Sequence, residues 1–267
     1  RFARNKDRFS LAANLLAINR LHALPTCNFQ RGSFPGAAQL APESLLASHP
    51  HIRAACVACT IGCERVYGVQ PGSSTAAGGA RMEYENLFAL GSLCGVSDPA
   101  TVLAASRQCD ELGLDTISTG ATIAFAMECV ERGWLAAPWL TFGAGPAVLQ
   151  AIDMIARREG LGDALAHGTR HLATTLGPAA LAVAPQVKGL ELPGYDPRAM
   201  QTLALGLAVG TRGADHNRSG AAEVDFSAQA DRRHLTTRAA AGAVASEDRS
   251  ALLDSLILCR FLRHVLA

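Results

Sequence analysis

Apolar residues recur every three or four positions along most of this chain, and sustained alternation is found nowhere in it. That period is the signature of amphipathic helices. Phe9, Leu11, Leu15, Leu16, Ile18 and Leu21 share one face of a predicted helix over residues 5–24, ending before Pro25. Residues 26–38 read as loop, followed by a short helix over 43–48. Residues 68–80, rich in Gly, Ser and Ala, read as an exposed connection. A helix is expected over 81–90. Asp98-Pro99 is a helix start, with Asp as N-cap and Pro at the first position, and Gly113 is its stop. Thr119-Gly120 opens the next, which ends near Gly133. Further helices are expected over 146–158 and 163–176, the latter closed by Gly177. Residues 188–195 read as loop, and Asp196-Pro197 starts a helix to about Val209. Ser246 is the expected cap of the last helix, with Glu247 and Asp248 complementing its dipole. The predicted class is all-α, without internal repeats.

Length and composition narrow the picture. The 267 residues suit one large domain or two small ones, and 49% hydrophobic content supports a sizeable core. A net charge of +1, no basic run and 5% aromatic residues argue against nucleic-acid binding. The apolar passage over 139–152 is interrupted by Gly143, Gly145 and Pro146, so no membrane span is expected. Eight cysteines without a secretory signal fit a reducing, cytoplasmic setting in which thiolates bind metal. The first residue is Arg rather than Met, which suggests a piece of a longer polypeptide.

Cys56, Cys59 and Cys63 carry the strongest chemical signal, in the spacing C-x2-C-x3-C. Such a loop can converge several sulfurs on one centre. A structural zinc would want a fourth thiol or imidazole close by, whereas an iron–sulfur cluster can draw its fourth thiolate from far away. No second C-x2-C pair follows, and Cys259 is the most suggestive of the remaining thiols. Ordinary buried cysteines are the bland alternative, and the helical placement of Cys94, Cys109 and Cys129 fits it. His167 and His171 stand four apart on a helix but have no Cys or acid nearby in sequence to complete a zinc site.

Six stretches together resemble one family. They are the cysteine loop, Glu83-Tyr84-Glu85-Asn86, residues 109–118 beginning Cys109-Asp110, Lys188-Gly189-Leu190-Glu191-Leu192-Pro193, Arg212-Gly213-Ala214-Asp215-His216, and Asp254-x4-Cys259. In this order they resemble the two helical domains of tungsten-dependent aldehyde ferredoxin oxidoreductases, over essentially the whole chain. The resemblance implies residues 1–185 as one helical domain and 186–267 as a second, following an N-terminal β domain absent here. It implies a tungsten, or else molybdenum, bis-pterin beside a [4Fe–4S] cluster, with Cys56, Cys59, Cys63 and Cys259 as cluster ligands. Asp110, Gly113, Leu114 and Asp115 would form one pterin-binding turn, and Asp254 and Leu258 belong to the matching motif. A pterin edge offers adjacent N–H donors, which a carboxylate accepts side by side. The family usually has Gly where this chain has Ile257, and an acid where it has Arg260.

By the same resemblance Glu85 and His216 are the catalytic candidates, although by themselves they read as a solvated helix start and a loop histidine. The implied reaction is oxidation of a small aldehyde to a carboxylic acid. Electrons would leave to ferredoxin or an iron–sulfur partner subunit, with homo- and hetero-oligomers both open. Two other readings stand beside it: the tungsten subunit of an aromatic acyl-CoA reductase complex, and a non-catalytic helical module stabilised by zinc.

Overall fold

In the computed structural model, which describes residues 14–59, 61–69, 79–227 and 230–262, helices dominate and strands are few and short. The first part of the predicted N-terminal helix lies outside the described residues; the rest is α1, Leu15–Arg20. Two short helices follow, α2 (Ala37–Leu40) and α3 (Pro42–Ser48). The cysteine loop then departs from expectation. It is the connection of an antiparallel hairpin, β1 (His51–Ala54) paired with β2 (Glu64–Tyr67), to which β3 (Ala80–Arg81) adds on the far side. Strands this short hold too few residues for alternation to register. Most of the predicted connection at 68–80 lies outside the described residues.

Glu83-Tyr84-Glu85 leads into α4 (Tyr84–Leu87), which continues as a π-helical turn over Phe88–Ser92. The wider turn is closed by Leu93 N–H on the Phe88 carbonyl at 2.9 Å. Such turns cluster at functional sites. Asp98 caps α5 (Pro99–Leu112) through the Thr101 N–H at 2.9 Å, as its sequence predicts. The next helix, α6 (Thr116–Glu131), begins three residues before the expected start, because Asp115 is its cap and accepts from Ser118 N–H at 2.7 Å. Apolar all round, α6 is buried along most of its length, the expected character of a central helix. It packs on the π turn and α5, while α7 (Gly145–Arg157) packs on α5 and α8 (Leu161–Leu165). The helix predicted over 163–176 is two helices, α8 and α9 (Thr169–Leu176), parted at Gly168. The short α10 (Pro178–Leu181) follows.

Residues 188–195 are not simple loop. They include β5 (Leu190–Glu191), which pairs antiparallel with β4 (Gln186–Val187). Asp196 does not cap a helix: its buried carboxylate takes the backbone N–H and guanidinium of Arg198, and α11 starts later, as Gln201–Val209. The polar passage after it contains α12 (His216–Ser219), and α13 (Ala222–Asp225) follows. The last helix, α14 (Thr237–Ser255), is capped by Thr236 rather than Ser246, which lies inside it. Helices α11 to α14 pack mutually. The main core gathers Phe88, Phe125, Leu103, Ile123, Leu140 and Ile152. Cys94, Cys109 and Cys129 are buried in it, as expected, and burial pushes the Cys109 and Cys129 thiols up to about 12.

Candidate functional site

The fold brings Glu85 and His216 together although α4 and α12 are far apart in sequence. Glu85 Oε1 stands 3.7 Å from His216 Nε2, with side-chain exposures of 13% and 21%. The other oxygen, Oε2, accepts the Gly194 N–H at 2.8 Å. Oε1 is buried and has no hydrogen-bond partner among the described residues. Burial raises the Glu85 carboxyl above its ordinary value; His216 and the Gly194 N–H oppose this, and the charges of Glu83 and Asp115 add to it. Desolvation thus outweighs the partners and favours the protonated form of Glu85.

The Pro193-Gly194-Tyr195 segment forms the clasp over this pair. Gly194 accepts a hydrogen bond from the buried Tyr84 hydroxyl at its carbonyl while its N–H goes to Glu85. A Cβ on Gly194 would come within 2.7 Å of Tyr84 and 2.9 Å of Phe88, so the approach requires glycine. Tyr195 packs at a tilt between two rings, 5.2 Å from Tyr84 and 5.7 Å from His216 by centroid. Sequence reasoning missed Tyr195 as a member of the site. The motif over residues 188–193 stops two positions short of it.

The two aspartate motifs have one geometry. Helix α5 ends Cys109-Asp110-Glu111-Leu112-Gly113-Leu114, with Gly113 left-handed at φ 69°, and Leu114 N–H bonded to the Cys109 carbonyl at 2.9 Å. Helix α14 ends Leu253-Asp254-Ser255-Leu256-Ile257-Leu258, with Ile257 left-handed at φ 55°, and Leu258 N–H bonded to the Leu253 carbonyl at 2.9 Å. Both are Schellman ends, and Asp110 and Asp254 hold equivalent positions. Leu114 packs against the core. Partial desolvation raises the Asp110 carboxyl, Arg81 opposes the rise, and Glu64 adds to it. Asp254 is flanked by Arg218 and Arg260, each at 3.5 Å. Since α12 carries both His216 and Arg218, this short helix links the Glu85 pair to the second aspartate motif.

In the cysteine loop, Cys59 receives N–H donation from Gly62 and then Ile61, which lowers its pKa. The carbonyls of these residues are tied down by Arg53, and that of Gly62 also takes Arg65 at 3.2 Å. Cys63 is raised by burial first, and the charges of Cys259, Cys59 and Glu83 raise it further. Cys259, exposed just beyond α14, therefore lies within electrostatic reach of the loop thiols. Cys56 is exposed. Among the described residues no three His, Cys, Asp or Glu side chains stand close enough to share one metal ion. His167 and His171 stack at 4.7 Å on the surface with Arg158 against His167. No helix among the described residues is long and apolar enough to cross a membrane.

The family model described as aldehyde ferredoxin oxidoreductase, domains 2 and 3, matches residues 9–266. The tungsten-containing aldehyde ferredoxin oxidoreductase of Pyrococcus furiosus is 35% identical over 263 residues, covering 95% of this chain and 42% of that protein. Its counterpart in Thermococcus kodakarensis is 35% identical over 268 residues, with the same coverage. Among solved structures, the active-site complex BamBC of benzoyl coenzyme A reductase matches with a TM-score of 0.54 and 24% identity, covering 64% of this chain and 26% of that one. That likeness is one of fold. The chain spans less than half the length of the curated relatives it matches.

Proposed function

The chain belongs to the aldehyde ferredoxin oxidoreductase family, whose named relatives are oxidoreductases, and on that premise we propose that it forms the proton-handling and cluster-binding part of an enzyme oxidising an aldehyde to a carboxylic acid. The observation that carries the reading is the buried, unpartnered Oε1 of Glu85 facing His216 Nε2 at 3.7 Å.

Oxidising an aldehyde with water to the acid releases two protons and two electrons. The proposed proton acceptor is Glu85 Oε1. Gly194 fixes the opposite oxygen, so only one is free to act. Its raised pKa brings the carboxyl toward the working range of a general base. His216 would hydrogen-bond the substrate oxygen as charge develops there, its ring held against Tyr195. The half-buried Tyr195 would form a wall that excludes water.

The motifs contain the donor types the family's cofactors need, thiols for a cluster and carboxylates for pterin edges. Cys56, Cys59, Cys63 and Cys259 would hold a [4Fe–4S] cluster: three thiols sit in one anchored hairpin loop, with the fourth in electrostatic reach of it. Asp110, Gly113, Leu114 and Asp115 would hold one pterin. Asp254 and Leu258 would hold the other, Asp254 sharing its carboxylate with Arg218 and Arg260. A tungsten or molybdenum bis-pterin, suited to soft sulfur ligation, would supply the two-electron chemistry, and the cluster would supply one-electron transfer outward to ferredoxin or an iron–sulfur subunit. In this reading residues 1–185 carry the cysteine loop and the first pterin motif, and 186–267 carry the second motif with Cys259.

The test uses the holoenzyme. Glu85→Gln and His216→Asn should each keep tungsten and iron and lower kcat by about 10²- to 10⁴-fold. Wild-type turnover in both variants would remove the pair from the mechanism. A panel of aldehydes set beside an aromatic acyl-CoA thioester separates the proposed substrate class from the reductive alternative.

A further inference from the structure

The Lys188-Gly189 turn belongs to a motif prominent in the sequence, yet the proposed chemistry gives it no part. Both residues have positive φ, 56° and 90°, at the centre of the hairpin joining β4 to β5. Asn-Gly or Gly-Gly is the low-strain choice in such a turn, and lysine is poorly suited to it. Its ammonium nevertheless reaches the carbonyl of the buried Gly210 at 2.7 Å. Gly210 is the C-cap of α11, a helix with no basic residue in its last turn. Lys188 thus supplies, from another element, the cation that a helix C-terminus favours. Three residues on, Gly213 lies against the same turn: a Cβ there would come within 2.2 Å of the Val187 carbonyl oxygen. The segment between α11 and α12 is therefore laid on the hairpin at two points. Asp215 then caps α12, and His216 is its first residue. A helix of four residues does not hold itself in place, so its position is set by what precedes and packs on it.

We infer that Lys188 is a positioning residue for His216: its ammonium fixes the Gly210 carbonyl and with it the segment that aims the imidazole at Glu85 Oε1. The inference rests on the reading of His216 as part of the site, and its test is arranged to tell the two apart. Lys188→Asn removes the ammonium but suits left-handed backbone better than lysine, so the turn itself is kept. Lys188→Arg retains a cation. In the holoenzyme, Lys188→Asn should speed amide exchange of residues 211–217 by about tenfold. It should lower kcat by about 10- to 100-fold with KM within about twofold. Lys188→Arg should keep most of the wild-type exchange protection and rate. His216→Asn reads the premise: wild-type turnover there means the site reading has failed, and the exchange rates then decide the positional claim alone. An inactive His216→Asn beside a Lys188→Asn with wild-type exchange and kcat overturns the inference. Exchange quickened evenly over the whole chain, rather than at 211–217, overturns it as well, because Lys188 then serves stability in general.

Discussion

Glu85 joins two demands that conflict. Its carboxylate is buried for the sake of the site, and burial is what raises its pKa. A raised carboxyl contributes stability that is fully present below its unfolded pKa, ordinarily about 4.5, and is lost as pH rises through the folded value. Glutamine has the same shape, keeps an acceptor for the Gly194 N–H, and carries no charge to desolvate. Glu85→Gln should therefore melt at about the wild-type temperature near pH 4 and above it at pH 8, while activity is lost. Thermal unfolding over a pH series measures this. A variant less stable than wild type at pH 8 would mean that the attraction of His216 outweighs the burial of Glu85. The sequence offered Glu85 and His216 only through the order of surrounding motifs, since periodicity cannot say which polar residues will face each other across a fold.

At the level of elements, legibility followed local chemistry. Asp98-Pro99 and Gly113 were readable because cap and stop act on their own helix. Asp196-Pro197 carried the same start signal and was misread, because the Arg198 guanidinium takes the carboxylate that would have capped. The β hairpin around the cysteines was hidden because four-residue strands are fixed by pairing partners rather than by their own pattern. The equivalence of the two aspartate motifs was half visible: both have Asp followed four residues later by Leu, but Ile257 replaces the glycine. In the structure Ile257 nevertheless takes the left-handed conformation and is 93% exposed. A β-branched residue pays about 1–2 kcal/mol there. Ile257→Gly should accordingly stabilise the end of α14 by about 1 kcal/mol. Gly113→Ala, where an added Cβ meets nothing within 4 Å, should destabilise α5 by a similar amount through backbone conformation alone. Denaturant unfolding of the two variants checks this. Opposite signs are the expected result, and equal signs would mean that the two helix ends are not held by the same geometry.

Across the whole molecule, the proposed cluster ties the hairpin loop near the beginning of the described chain to the residues just past its last helix. Helix propensity and capping build each part separately, but no local signal joins Cys259 to Cys63. In the structure Arg260, next to Cys259, reaches Asp254, Ser250 and the Asn217 carbonyl. These contacts fix the end of α14 to α12, next to Cys259. Ligation that spans two distant segments stabilises the fold that brings them together. Anaerobic reconstitution with iron and sulfide should load about four irons per chain and raise the melting temperature. It should also slow amide exchange in the cysteine loop and at residues 256–260 together. Cys259→Ala should lose most of the iron and the whole of that rise. Cys94→Ala, at a fully buried thiol whose pKa is raised by desolvation, should keep the iron and lose only packing. A Cys259→Ala protein that binds iron and sulfide as wild type does would place the fourth ligand elsewhere.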